Sequence, residues 1–213
     1  MRSLVQSLVA ALCFTAAPSF AAEPTSVAQQ LGAARARYHR AAAGLSTAQA
    51  AVSKAHASLR SCQNGRAQLA FSSALTRLEA SRKTLEKGRR ETEAFRRQLE
   101  AARTRIEAGH HLKHESVEER EAKERHYLER LSQDYVAPLG RVADLLESYT
   151  AGVAGYSDVL ERYATFCAAP GLTDTSSQAF VATLTPSLEA LDGKARALVT
   201  EASEGASVGV SSK

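Results

Sequence analysis

A chain of 213 residues with 27 Lys+Arg against 23 Asp+Glu, 6% aromatic residues and no Trp is long enough for one domain with a sizeable core. Removing a leader that holds only Arg2 leaves 26 basic against 23 acidic residues, a net +3, which is no nucleic-acid footprint. Abundant Ala, Leu, Glu and Arg with five prolines predict helices with slim cores, and strand signals are nearly absent.

Residues 1–21 read as a secretory signal peptide: Arg2, an apolar stretch from Leu4 to Ala17, then Pro18-Ser19-Phe20-Ala21. The stretch is too short to span a bilayer, and small Ser19 and Ala21 place cleavage after Ala21. Cys13 follows Leu12, where lipidation would require a small residue. The mature chain is therefore expected in a periplasm or outside the cell, with no transmembrane segment.

Residues 22–203 predict a helical bundle domain. From Val27 the apolar positions step by four and three through Leu31, Ala34, Tyr38, Ala41, Leu45, Ala48, Val52, Ala55 and Leu59 to Cys62. One row is large and the other, Ala34, Ala41, Ala48 and Ala55, is small, so a neighbouring helix can approach closely. Gln63-Asn64-Gly65 is a turn signal. A second helix then carries Phe71, Ala74, Leu78, Ser81, Leu85, Gly88, Thr92, Phe95, Leu99, Ala102 and Ile106, ending at Gly109.

On the outer face of this helix Glu79, Glu86, Glu93 and Glu100 each precede Arg82, Arg89, Arg96 and Arg103 by three residues. Such pairs stabilise a helix by about 0.2–0.5 kcal/mol each. The ordinary reading of the run is a solvated, self-paired face; the functional one is a partner-binding surface formed by the four arginines.

Ser116-Val117-Glu118-Glu119 predicts a capping box that opens a third helix. Its rows are Leu128, Leu131, Tyr135, Pro138, Val142, Leu145, Tyr149, Gly152, Tyr156, Val159, Tyr163 and, beside them, Leu139, Leu146, Val153 and Leu160 ending in Cys167. The tyrosines form a stripe, in ordinary terms a core stripe and alternatively an open aromatic groove. Ala168-Ala169-Pro170-Gly171 stops the helix. A fourth carries Phe180, Leu184, Leu188, Leu191, Ala195, Leu198 and Ala202, with Thr185-Pro186 a candidate division point, and residues 204–213 read as a disordered tail.

The fold expected is all-α: an elongated antiparallel bundle of three long heptad-patterned helices, up, down and up, plus a shorter C-terminal helix and one disulfide. If each helix folds back on its predecessor, paired residue numbers sum to about 128 at the first turn and about 226 at the second. On that ruler Cys62 and Cys167 share one end, and an even pair of mature cysteines in an exported chain is a disulfide by default. The same ruler sets Pro138 level with Gly88, as a kink beside a missing side chain.

His110, His111 and His114 crowd the second link beside Glu107, Glu115 and Glu118. Imidazoles and carboxylates so placed are a candidate weak metal site, although a solvated polar tip is the plainer reading, and Gly109 interrupts the Glu-x-x-His spacing of Glu107 and His110. His39, His56 and His126 stand alone. No motif for covalent haem, a serine nucleophile, a phosphate loop or a zinc helix occurs, so neither a cofactor nor enzyme activity is expected. The function expected is a non-catalytic interaction or scaffold module of the cell envelope whose partner is another envelope or secreted protein, not nucleic acid. The alternatives are a client-holding, chaperone-like protein and a weak metal-binding periplasmic protein.

Overall fold

A computed structural model describes residues 26–208 apart from 61, 63–64 and 111–115; the expected signal segment and residues 209–213 lie outside the described residues. The described elements are α1 (Val27–Arg60), α2 (Gly65–Gly109), α3 (Val117–Leu131), a π-helical turn (Ser132–Val136), α4 (Ala137–Cys167) and α5 (Asp174–Val208). There is no strand among them.

The ends are set by local chemistry. At α1 the Ser26 N–H donates to Gln29 Oε1 and the Gln29 N–H to Ser26 Oγ. The expected box at Ser116 forms with Glu119 in both directions. Thr173 and Ser176 exchange equivalent bonds at the start of α5. These partners satisfy N–H groups that have no intrahelical acceptor. After α4 the chain reverses through Gly171 at φ 72°, a left-handed conformation that costs glycine little.

The neighbours differ from those of a simple hairpin series. α1 packs along α4, not along α2, and α2 packs along α5. Residues of α1 and α4 that meet are separated by a near-constant number of positions: 110 for Arg37 and Glu147, 100 for His56 and Tyr156, and 105 for Cys62 and Cys167. A constant difference means parallel helices. Between α2 and α5 the difference is 109 for Phe71 and Phe180 and 110 for both Gly88–Leu198 and Phe95–Gly205, so this pair is parallel too. α2 and α4 are antiparallel, since the numbers of Phe71–Tyr163, Leu85–Gly152 and Glu100–Tyr135 add to between 234 and 237. Successive long helices thus alternate up, down, up and down, while the tightest seams join helices that are not consecutive.

Small residues explain those seams. The buried Ala41, Ala48 and Ala55 of α1 belong to the row that ends in Cys62, and at the offset of the disulfide Ala48 and Ala55 fall level with the buried Val153 and Leu160. On α2 a Cβ added at Gly88 would lie 2.7 Å from Leu198 Cγ, and on α4 one at Gly152 would lie 2.5 Å from Leu85 Cδ2. Small rows bring backbones together and let large rows interdigitate.

Three expectations are corrected. The second ruler is about ten residues short because α3 starts beyond the end of α2: His110, just past α2, stacks on Tyr127 with ring centroids 3.9 Å apart, and Val117 is 67% exposed. Gly88 consequently faces α5 and not Pro138. Pro138 is absorbed locally instead. An unbroken α-helix would press its ring on the Asp134 carbonyl, and the preceding π turn, in which the Ala137 N–H donates to the Ser132 carbonyl, widens the helix there. Finally, the C-terminal helix is not the short one. α5 has 35 residues against 34 for α1, and it continues through Pro186 and through Glu204 to Val208. Pro186 is exposed, so water can take the carbonyl that loses its donor.

The expected disulfide joins Cys62 to Cys167 with a Cα–Cα distance of 5.6 Å. No helix among the described residues is long and apolar enough to cross a membrane.

Candidate functional site

The tyrosine stripe is covered. Tyr135, Tyr149, Tyr156 and Tyr163 are all buried, and burial pushes the hydroxyls of Tyr149, Tyr156 and Tyr163 above the usual phenol range. Their polar ends find company at the seam: Tyr135 donates to Glu100 Oε1 at 3.1 Å, Tyr156 meets His56 Nε2 at 3.4 Å, and Tyr163 lies 3.8 Å from the disulfide sulfur of Cys62.

The four arginines of α2 form a ladder over this stripe. Arg82, Arg89 and Arg96 each donate twice to Glu79, Glu86 and Glu93, at 2.7–3.0 Å. Hydrogen bonds from the arginines hold these three carboxyls below the ordinary glutamate range. Electrostatically Arg82 faces Tyr156, Arg89 faces Tyr149 and Arg96 faces Tyr38. The fourth step is looser: Arg103 donates to Glu107 at 2.8 Å and sits 5.6 Å above the Tyr135 ring, and it keeps a 3.7 Å ion pair with Glu100, which accepts the hydrogen bond of that tyrosine. Bidentate partners on the same helix occupy the guanidinium edges that a partner's carboxylate would use.

Of the three histidines proposed as metal ligands, only His110 is described; His111 and His114 lie outside the described residues. His110 Nε2 is 3.1 Å from Glu124 Oε2 while its ring stacks on Tyr127. Among the described residues no group of three or more His, Cys, Asp or Glu side chains is placed to hold a metal ion.

One concavity was not anticipated from the sequence. A groove of about 550 Å³ runs between the last four turns of α2 and the α3–π turn–α4 segment. Its floor is apolar: Phe95, Leu99, Ala102, Ile106, Tyr127 and Pro138. Its rim is cationic, with Arg105, Lys123, Arg130 and Arg141 against the single carboxylate of Asp134, and His126 beside them. Arg130 donates to Asp134 and Lys123 is engaged as well, so the cationic character of the rim rests on Arg105 and Arg141. A low-dielectric floor below such a rim strengthens its pull on anions.

The position of the groove follows from the register of α5. At the offset of 110 shared by Gly88–Leu198 and Phe95–Gly205, Val208 is level with Gln98. On the other wall Gly155–Leu191 and Phe166–Phe180 have numbers that add to 346, which sets Val208 level with Pro138. Both walls place the last described turn of α5 at the mouth of the groove. Beyond it the slot that α5 fills continues along α2 with no described residue in it. The α2 pattern continues in the sequence through Ala102, Ile106 and Gly109, but which of these rows the described part of α5 covers depends on the register between the two helices.

No protein-family model matches the chain, and no curated protein or solved structure shows significant similarity to it.

Proposed function

We propose that this protein is a non-catalytic interaction or scaffold module of the cell envelope, with the cationic groove between α2 and α3 as its contact site. The observation that carries this reading is the continuation of the α5 slot beyond the described residues of α5: a packing surface with an apolar floor and a rim that carries Arg105 and Arg141, at the end of the bundle away from the disulfide. Export is supported by the signal-like N-terminus and by a Cys62–Cys167 bond of the kind that persists in oxidising compartments.

The interior offers little for chemistry. Among the described residues the buried side chains with polar groups are Ser81, Thr92, Ser157, Ser177 and the four tyrosines of the stripe, with no carboxylate or imidazole among them. A client-holding role would call for a broad exposed apolar surface, but among the described residues the exposed large hydrophobics are Leu69 and Val117, neither of which lines the groove. The contact surface is therefore the groove, and the arginine ladder closes the seam over the tyrosines.

Photo-crosslinking in the exporting cell tests this. A benzoylphenylalanine at Gln98, on the groove, should give a discrete protein adduct, whereas one at Gln178, on the exposed face of α5 near the disulfide, should not. Charge reversal at Arg105 and Arg141 should abolish the adduct. A diffuse smear of many adducts would favour the client-holding reading, and equal adducts from both positions would move the site elsewhere.

A further inference from the structure

We infer that the groove accepts one helix of a partner protein, an acidic amphipathic helix that continues the track of α5 along α2 and places large aliphatic side chains seven residues apart. This rests on the reading of the groove as the contact site and adds the chemistry of the partner.

The seam between α2 and α5 shows how this surface of α2 receives a helix. Its row repeats every seven residues as Ala67, Ala74, Ser81 and Gly88, and at the offset of α5 these stand level with Ser177, Leu184, Leu191 and Leu198, all buried. The glycine shows the fit directly, since a Cβ there would overlap Leu198. Ala74, Ser81 and Gly88 are thus each a socket for a leucine of the parallel neighbour, while Ala67 stands level with the small Ser177. At Phe95 the sizes exchange and Gly205 supplies the small side, its Cβ position 3.0 Å from the ring.

Beyond Phe95 the small residues return as Ala102 and Gly109, about 10 Å apart along the helix, both lining the groove. Among the described residues, no atom outside its own helix turn and chain neighbours lies within 4 Å of the Cβ position of Gly109. Two sockets at heptad spacing fit a helix with branched aliphatic residues at matching positions. A lipid chain or small aromatic ligand has no need of that spacing. The rim then selects sign. Arg105 on the α2 wall and Arg141 on the α4 wall flank the track, so carboxylates beside the apolar stripe would be attracted from both sides, and lysines repelled.

The test uses the disulfide-bonded protein and a dye-labelled synthetic peptide of three Leu-Ala-Glu-Leu-Gln-Glu-Glu repeats, followed by fluorescence anisotropy. Saturable binding is expected with a dissociation constant of about 1–100 μM, weakening as salt is raised. A peptide with Lys in place of every Glu should bind at least about ten-fold more weakly. Ala102→Phe, which fills the first socket, and Arg105→Glu with Arg141→Glu, which inverts the rim, should each weaken binding about ten-fold or more, with circular dichroism confirming that both variants stay helical. If the Ala102→Phe protein loses its helical signal, the rim variant alone decides.

Absence of saturable binding, equal binding of the lysine peptide, or unchanged binding by the rim variant overturns the inference. Capture of the protein by phosphatidylglycerol vesicles without peptide binding would overturn it in favour of a lipid surface. A discrete cellular adduct from Gln98 alongside a failed peptide would leave the contact site standing and remove only the acidic helix.

Discussion

Gly88 and Gly193 are both helical glycines, yet their surroundings oppose each other. Replacing either by alanine favours the helix by about 0.5–1 kcal/mol. At Gly88 the new methyl would meet Leu198 Cγ at 2.7 Å, and Leu198 is fully buried, so it cannot swing aside without moving its neighbours. Overpacking of this kind costs about 1–3 kcal/mol. Gly88→Ala should therefore lower the unfolding free energy by about 1–2 kcal/mol, whereas Gly193→Ala, with no atom within 4 Å of its Cβ position, should raise it by about 0.5–1 kcal/mol. Denaturant titration of both variants checks the pair, and a neutral Gly88→Ala would show that the α2–α5 seam yields. Ser177 gives a second measurement. Its hydroxyl is fully buried without a hydrogen-bond partner, so Ser177→Ala should stabilise the protein by about 1 kcal/mol, and a loss of stability would reveal a partner for that hydroxyl.

Among the elements α2 is the longest, and the glutamate–arginine ladder supports it over the tyrosine stripe. Because their arginine hydrogen bonds hold Glu79, Glu86 and Glu93 below the ordinary range, the folded protein keeps these carboxylates ionised where an unfolded chain, with glutamates near pH 4.3, takes up protons. Their stabilisation is complete above that ordinary value and is lost as pH falls through the lowered folded values. The melting temperature should be nearly level from neutrality to about pH 5 and fall below about pH 4. A variant combining Glu79→Gln, Glu86→Gln and Glu93→Gln should melt lower at neutral pH and lose part of the acid slope. An unchanged slope would place the acid sensitivity in other carboxylates. The pairs themselves were legible from their three-residue spacing, but the hydrogen bond that Glu100 accepts from the Tyr135 hydroxyl was not, since that tyrosine lies 35 positions away.

At the scale of the molecule, α1 depends on α4. It packs chiefly on that one helix, through a small-residue row, the Arg37 pairs with Asp144 and Glu147 and the disulfide. Closing a loop of 105 residues is worth about 5 kcal/mol in the chain-entropy account. Reduction, or Cys62→Ser with Cys167→Ser, should lower the unfolding free energy by several kcal/mol, about 2–5, and hydrogen exchange should show the amides of α1 losing protection before those of α2 and α5. A loss below about 1 kcal/mol would mean that the alanine seam holds α1 unaided.

The helices, their caps at Ser116 and Gly171, the buried faces and the bridged cysteines could be read from the chain, because each depends on a local period or on a residue type whose conformational preference is strong. Even the partner rows were visible, as the Ala34–Cys62 and Leu139–Cys167 series each repeat every seven residues and end in cysteine. Which helix lies beside which was decided only by tertiary structure. Connectivity favours consecutive neighbours, but here the complementary faces, a small row against a large one, belong to α1 with α4 and to α2 with α5, and those faces permit the close approach seen there. The groove has the same origin. Among the described residues it lies where α2 and the α3–α4 segment extend past Val208 of α5, a register between distant segments that the local pattern of each helix does not set.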